Sequence, residues 1–264
     1  RHSEVLRKAG RESSTPHSPN DGQLVSAYND LAPTHVMKVG QPVGTFWAVK
    51  YLGADPQTGD AMFLDLKTAT AQSASSGLID SDDAIMAGKA TPDFFGGWNN
   101  TLNYKSFDAL VAFQYSVGND VYNLIRATYE NLGWSNEGGL DQVYANNWSG
   151  VKDRWKQPGD KTDVPRASFI NQNYVENSTM FIEDASFLRI RTVSLGYTIK
   201  SKNIKWFDSV RIYGQVQNLY VFTKYIGFDP EVSSTGGGNP QTAGIDYAAY
   251  PQPRTFTFGF NLGL

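Results

Sequence analysis

The last eleven residues of the chain alternate strictly between two kinds of side chain. From Phe256 to Leu264 every even position is phenylalanine or leucine, and from Thr255 to Gly263 every odd position is small or polar. Because successive side chains of a β-strand point to opposite faces, this stretch predicts a strand with one apolar and one polar face. A transmembrane β-strand needs about 9–11 residues of this pattern, and a core strand of a soluble β-sandwich alternates in the same way. The pattern therefore predicts either a lipid-facing wall or a soluble core.

Bulk composition does not separate these two interpretations, but it excludes several other classes. Hydrophobic residues make up 40% of the 264 residues, and no run approaches the ~18 apolar residues of a membrane helix. The net charge of −3 gives no basic footprint for nucleic acid. The absence of cysteine removes disulfides, thiol catalysis and cysteine-ligated metals.

The beginning of the chain differs from the rest. Residues 1–38 are polar and rich in turn formers, so we expect a loop segment with a short helix near Leu24–Leu31. The first residues lack the apolar core of a signal peptide, and the chain does not start with methionine. We therefore expect either a processed chain or the later part of a longer protein.

Strand-like alternation recurs along residues 39–264, which we predict to be all-β. A one-residue phase change after Ile190 predicts a β-bulge, and residues 120–133 follow the helical period and predict an amphipathic helix. Residues 68–92 are small and polar and are expected to be a loop. The predicted strands lie near residues 43–52, 61–67, 94–104, 109–117, 186–199, 209–223 and 254–264.

The lengths of the connections favour a membrane barrel over a sandwich. Residues 105–107 and 200–208 are short links, whereas residues 118–185 and 224–253 are long. Outer-membrane barrels have short periplasmic turns and long extracellular loops, with aromatic residues at both membrane interfaces. The aromatic residues expected on the lipid-facing side are Trp98, Tyr104, Phe113, Tyr115, Tyr197, Tyr220, Phe222, Phe256 and Phe258.

Ten short stretches, in order along the chain, carry a resemblance to a known family. They are Val39–Phe46, Thr91–Gly97, Tyr104–Asp108, Gly118–Asn123, Glu183–Ile190, Leu195–Thr198, Gln217–Leu219, Thr223–Tyr225, Gly227–Glu231 and Tyr250–Phe256. Together they resemble the C-terminal part of the SusC/RagA-type TonB-dependent outer-membrane transporters of Bacteroidetes. Ala185 and Ile190 depart mildly from the family pattern, which often has Gly and Leu at these positions.

The resemblance implies a transmembrane antiparallel β-barrel of about 22 strands with an internal plug and long extracellular loops. This chain would supply only the C-terminal strands, and the free edge of its last strand would be completed by other strands. The implied function is import of oligosaccharides or oligopeptides across the cell outer membrane of a Gram-negative, Bacteroidetes-like bacterium. The implied partners are a SusD-like surface lipoprotein lid, the remaining barrel and plug, TonB acting through an N-terminal part without a counterpart here, and the lipid bilayer.

Two sets of residues are candidates for contact with a ligand. Exposed aromatic residues in mobile surface loops commonly bind ligands, although they can instead pack their own loops or the lid. The candidates in the long loops are Trp134, Tyr144, Trp148, Trp155 and Tyr225. The candidates for the lumen-facing side of the strands are Arg189, Arg191, Arg211 and Gln215.

Other chemistry is weakly indicated. The three histidines, His2, His17 and His35, lack metal-ligand spacing, and Gly236–Gly238 lacks the residues of a phosphate loop. The acidic segment Asp80–Asp83 faintly resembles an oxygen-ligand loop for calcium, and is otherwise a solvated acidic turn. No nucleophile motif is present, so we expect no catalytic residue, no metal, no cofactor and no enzymatic activity.

Two alternatives from other functional classes stay open on the sequence. One is a soluble or surface-anchored all-β carbohydrate-binding module, in which the aromatic stripes would form a core. The other is a passive porin-like channel, which would share the barrel pattern without any coupling to an energy source.

Overall fold

A computed structural model of the protein describes residues 22–25, 34–130, 146–168, 177–200, 208–232 and 240–263. These residues contain one α-helix, α1 (Leu124–Tyr129), and no helix among them is long and apolar enough to cross a membrane. Single 3₁₀ turns lie at Ala74–Ser76, Ser81–Asp83, Ser149–Asp153, Thr179–Phe181 and Pro240–Thr242. The strands are β1 (Gln23–Val25), β2 (His35–Met37), β3 (Thr45–Val49), β4 (Tyr51–Ala54), β5 (Ala61–Asp65), β6 (Thr70–Ser73), β7 (Ala84–Lys89), β8 (Phe94–Tyr104), β9 (Phe107–Val117), β10 (Asp120–Asn123), β11 (Ile182–Asp184), β12 (Phe187–Lys200), β13 (Ser209–Thr223), β14 (Ile245–Asp246) and β15 (Thr255–Gly263).

The chain forms two compact units, each built from three separate stretches. The first unit comprises Arg1–Thr91, Asp120–Glu183 and Val232–Ala249. The second unit comprises Pro92–Asn119, Asp184–Glu231 and Tyr250–Leu264. The long connections of the sequence thus contribute most of their residues to the first unit.

The second unit is one antiparallel sheet of five long strands in the order β15-β13-β12-β9-β8. All five were predicted, and the observed bounds of β8 and β13 agree with the predicted ones. Strand β9 begins two residues earlier than predicted, because Tyr104 pairs directly with Phe107 across a two-residue turn. Lys105 in this turn has a φ of 55°, the left-handed conformation that such tight hairpins require.

The predicted β-bulge is confirmed within β12. The register of β12 shifts between Ile190 and Thr192 against both of its neighbours, β9 and β13. Against β9 the extra residue is Arg191, whose side chain reaches Gln114 on that strand. The bulge therefore places Arg191 on the polar face while the apolar residues that follow stay on the other face.

The apolar face of this sheet has two aromatic belts, and the side chains between them are mainly aliphatic, with Phe256 and Phe258 of β15 among them. Near one end, Trp98 stacks on Phe113 with ring centroids 4.4 Å apart. Near the other end, Phe107 packs on Tyr197 at 4.7 Å. Six residues of β8, or about 20 Å, separate the Trp98 row from the Tyr104 row. All nine predicted aromatic positions lie on this face, and paired aliphatic side chains between the belts include Leu102, Ala109, Val111, Val193, Leu195 and Val216.

The connections of the sheet are sorted by length between its two ends. Because the strands are antiparallel in chain order, the links from β8 to β9 and from β12 to β13 lie at one end. The connections from β9 to β12 and from β13 to β15 leave from the opposite end. The predicted separation of short turns and long connections is therefore confirmed for this sheet.

The described residues of the first unit form three small sheets, with orders β1-β2-β3-β7, β4-β5-β6 and β11-β10-β14. Its cores are made of side chains from segments that lie far apart in the sequence. One cluster contains Val36, Trp47, Val49, Ala61, Phe63 and Ala84. The other contains Phe46, Tyr122, Leu124, Ala127, Phe181 and Ile245.

Several predictions for this unit need correction. The stretch 43–52 is two strands, β3 and β4, in different sheets, and neither they nor β5 pair with the five long strands. The predicted loop 68–92 contains β6 and β7. These strands have only four and six residues, too few to show a clear alternation in the sequence.

The predicted helix over residues 120–133 is also different in the structure. Residues 120–123 form β10, because Tyr122 donates its N–H to Gly244 and pairs alongside β14. The helix starts only at Leu124, where the Asn123 side chain accepts the N–H of Arg126 at 3.0 Å. Residues 131–133 lie outside the described part of the chain.

The N-terminal prediction changes in a similar way. Leu24 and Val25, predicted to begin a helix, belong to β1, which pairs with β2. Residues 26–31 of that helix lie outside the described residues. Strand β2 pairs in turn with β3, so the predicted boundary at residue 38 falls inside a sheet.

Candidate functional site

The polar face of the five-stranded sheet holds all four of the predicted lumen-facing residues. A recess of about 470 Å³ lies on this face. Gln215 and Arg211 line it together with hydroxyl and amide groups of neighbouring strands. The other lining residues are Thr101, Asp108, Ala109, Leu110, Ser194, Tyr213 and Asn261.

Arg211 is fixed by a two-pronged contact with Asp108. Its Nε donates to Oδ1 at 2.9 Å and its Nη2 to Oδ2 at 2.5 Å, the bidentate geometry that makes such pairs specific. The guanidinium also lies 4.8 Å from the centre of the Tyr213 ring. The pair passes over Gly196, where a Cβ would lie only 2.4 Å from Asp108 Oδ1. Glycine at this position therefore lets the charged pair lie flat on the sheet.

Arg189 and Arg191 belong to a second charged cluster on the same face. Arg189 Nη2 donates to Asp229 Oδ1 at 2.5 Å, and the Arg189 residue is 1% exposed. Arg191 contacts Gln114, and its Nη1 lies 3.8 Å from Glu231 Oε2. The sheet thus carries one open and one covered Arg–Asp pair.

The aromatic residues predicted to contact a ligand differ in how far they are exposed to solvent. Trp134 and Tyr144 lie outside the described residues. Trp148 is half-buried, and its backbone N–H donates to the backbone carbonyl of Tyr129 at 3.0 Å. Tyr225 is only 5% exposed and its ring lies directly against Gly227, so the ring is covered rather than presented to solvent.

Trp155 is engaged by the hairpin between β4 and β5. Its ring packs on Gly59, which has a φ of +75°, and its Nε1 donates to Pro56 O at 3.0 Å. The same hairpin receives an ion pair from Arg166 to Asp60 at 2.7 Å. Trp155 is half-buried by these contacts and stays a candidate only through its exposed edge.

The acidic segment uses its carboxylates within the protein. Asp83 accepts the N–H groups of Leu66 and Asp80 at 2.9 Å each. Lys67 Nζ lies 2.7 Å from Asp80 Oδ2 and 4.0 Å from Asp82 Oδ2. The hydrogen bond to Asp80 raises the pKa of the Lys67 ammonium, which is therefore a stable counter-charge for this turn. Among the described residues, no group of three or more His, Asp or Glu side chains is arranged to hold a metal ion.

Burial shifts the pKa values of two further side chains in the first unit, His35 and Tyr51. Burial lowers the pKa of His35 to about 4, against the smaller opposing effect of its hydrogen bond with Ala243 O. His35 Nε2 lies 2.9 Å from that carbonyl, and the neutral ring packs on Phe46. Burial also raises the pKa of Tyr51, whose hydroxyl donates to Asp163 O at 2.7 Å.

Comparisons with known proteins match most of this chain to part of much longer proteins. TonB-dependent receptor P3 of Formosa agariphila is 30% identical over 249 residues, which is 87% of this chain and 23% of the relative. The TonB-dependent receptor SusC of Bacteroides thetaiotaomicron is 26% identical and matches 99% of this chain and 23% of its own length. The solved RagAB peptide transporter is 25% identical with a TM-score of 0.68, over 87% of this chain and 24% of that one.

The chain belongs to the SusC/RagA-type TonB-dependent transporters. It spans about a quarter of the length of the curated relatives it matches. A search with models of protein families gives no match. The predicted all-β class is confirmed, and the fold is that of a SusC/RagA-type segment.

Three partners of the predicted arginines in this transporter were missed by sequence reasoning. They are Asp108, Asp229 and Glu231. An arginine on a strand that is covered by other residues needs a counter-charge, and this requirement is the signal that could have been used. The sequence does not give the distance between residues 189 and 229, so it could not identify the pair.

Proposed function

We propose that this chain forms part of the barrel wall and extracellular region of an outer-membrane importer for oligosaccharides or oligopeptides. The apolar face with two aromatic belts carries the proposal. Two belts about 20 Å apart, with mainly aliphatic side chains between them, suit the apolar band and interfacial girdles of a membrane barrel. Exposed aromatic side chains in such number are not stable against water, so a lipid medium accounts for them.

In this proposal the polar face lines the lumen. Arg189, Arg191, Arg211 and Gln215 would face the interior of the barrel, where polar side chains are hydrated or contact an internal plug. The end of the sheet with the long connections would be extracellular, and the short turns would be periplasmic. Residues of the long connections 118–185 and 224–253 would then be extracellular.

The partners follow from the family. We propose that import proceeds with a SusD-like surface lipoprotein as a lid, a plug within the barrel, and TonB as the link to an energy source. The role of this chain would be binding and passage, without covalent chemistry. Since the solved RagAB is described as a peptide transporter, labelled oligopeptides are the first ligands to test.

A gel-shift experiment tests the membrane assignment. An assembled barrel in detergent runs differently on a gel before and after boiling, and we expect this shift for the transporter that contains this chain. Recovery of the native protein in the aqueous phase without detergent, with no shift on boiling, would favour the soluble carbohydrate-binding alternative.

Uptake measurements separate an importer from a passive porin. We expect accumulation of a labelled oligopeptide or oligosaccharide that stops when the proton gradient is collapsed or TonB is removed. Uptake that continues unchanged under both treatments would identify a passive channel instead.

A further inference from the structure

The connection between β13 and β15 leaves and rejoins the second unit beside a single carboxylate. Asp229 Oδ1 accepts the N–H of Glu231 at 2.9 Å, on the outgoing side of the connection. Asp229 Oδ2 accepts the N–H of Gln252 at 3.3 Å, on the returning side. One side chain therefore holds both ends of a long stretch of chain.

That carboxylate is bound in turn by a buried arginine of the sheet. Arg189 projects from β12 onto the polar face, and its Nη2 donates to Asp229 Oδ1 at 2.5 Å. Arg189 is 1% exposed and Asp229 is 5% exposed, although the same face is open around Arg211. A buried charge is strongly unfavourable without its partner, so Arg189 favours the arrangement in which Asp229 lies on the wall.

Further side chains of the sheet support this contact. Gln114 on β9 donates to Glu231 Oε1 at 2.8 Å, and Glu231 Oε2 lies 3.6 Å from Arg189 Nη2. The bulge in β12 adds Arg191, whose Nη1 is 3.8 Å from Glu231 Oε2. Two arginines face two carboxylates, so the cluster is neutral overall.

We propose that Arg189 and Asp229 form a clamp that holds both ends of the β13–β15 connection on the polar face of the sheet. Closing of the clamp determines whether residues 225–231 cover this part of the wall, and its opening frees both ends together. Arg189 is a positioning residue for the connection. This inference rests on the contacts within the sheet unit and does not depend on the identity of the transported ligand.

The structure offers a matched control for the test. Asp108 and Arg211 form an Arg–Asp pair on the same face with the same 2.5 Å contact, but this pair joins β9 to β13 instead of binding residues 225–231. The variants D229N and D108N each remove one carboxylate charge with little change of shape. Comparing them separates loosening of the connection from loosening of the sheet.

The experiment is hydrogen–deuterium exchange of the transporter containing this chain, in detergent, followed by mass spectrometry of its peptides. In D229N we expect amides of residues 225–231 and 250–253 to exchange at least about tenfold faster, because a lost buried ion pair lowers the cost of local opening. In D108N the same peptides should exchange as in the wild type. Equal exchange in D229N and wild type, or equal acceleration in both variants, would overturn the clamp.

A milder pair of variants covers the case in which D229N does not assemble. Lysine keeps the charge of Arg189 but cannot supply the fork of donors, and E231Q removes only the outer carboxylate. We expect R189K to accelerate exchange at both ends of the connection, and E231Q to do so by a smaller factor. Acceleration at only one end, or at neither end in R189K, would show that the two ends are not held together.

Discussion

The two units of this chain use aromatic side chains in opposite ways. In the first unit Phe46, Phe63 and Phe181 are buried within clusters drawn from several segments. In the second unit Phe258 is 84% exposed and Trp98 53% exposed on one face of a single sheet. The first unit makes its own apolar environment, whereas the second needs one from outside. Alternation along a strand shows which side chains share a face, and the medium on that face has to be found from the whole sheet.

The largest expected effect comes from removing a buried aromatic ring from the core of the first unit. Phe63 is 1% exposed, so F63A should destabilise that unit by about 3–5 kcal/mol, the usual cost of removing a buried phenylalanine. The matched variant F258A removes an exposed ring and leaves no cavity. Urea titration followed by hydrogen exchange of β3 and β5 peptides measures the difference. Equal losses of stability in F63A and F258A would show that the two units do not differ in how they use aromatic side chains.

A charge on the apolar face of the second unit should have the next largest effect. Phe258 pairs with Gly214, in a row that lies between the two aromatic belts. Arginine there should cost about 2–4 kcal/mol if the face lies in lipid, as for barrel positions near the midplane. Thr257, one residue earlier on the polar face, provides the control T257R. The fraction of protein that shows the boiling shift measures both, and T257R should match the wild type.

Acid should weaken the first unit selectively. Because the folded state lowers the pKa of His35 from 6.5 to about 4, it binds fewer protons than the unfolded state between these pH values. Stability therefore falls as pH falls through this window, by about 2 kcal/mol at pH 5, and the loss is complete below pH 4. The variant H35Q cannot titrate and should lose this dependence. If exchange of the β2 and β3 peptides depends on pH in H35Q as it does in the wild type, other titratable groups cause the loss of stability.

The smallest expected effect concerns Trp155 and tests whether this residue packs on its own hairpin or contacts a ligand. W155F keeps a ring over Gly59 but loses the hydrogen bond from Nε1 to Pro56 O, so the local loss should be about 1 kcal/mol. Exchange of the β4–β5 hairpin measures it. Normal exchange together with impaired ligand uptake would instead assign Trp155 to ligand contact.

The sequence predicted the second unit well because its information is local. Strands β8, β13 and β15 each carry their alternating pattern in one run, and in β12 the bulge at Arg191 leaves a visible change of phase. Antiparallel neighbours joined by tight turns then follow from chain order alone. The polar positions of Arg189, Arg191, Arg211 and Gln215 came from the same alternation.

The first unit and the charged clusters could not be predicted in this way. The buried cluster around Phe46 takes Tyr122, Phe181 and Ile245 from segments far apart in sequence, and no pattern within any one of these segments shows that they meet. The partner of Arg189 is 40 residues away in an irregular segment. Only the folded chain brings such groups together, because sequence spacing carries no distance beyond one element.

The central claim is that the even face of β15 lies in lipid and the odd face in water. Single cysteines can be placed at residues 256–261 of a cysteine-free transporter and labelled with a nitroxide, whose collision rates with oxygen and with a water-soluble nickel chelate are then measured in bilayers. We expect oxygen collisions to dominate at 256, 258 and 260, and nickel collisions to dominate at 257, 259 and 261. Nickel access at every position, or no alternation, would contradict it.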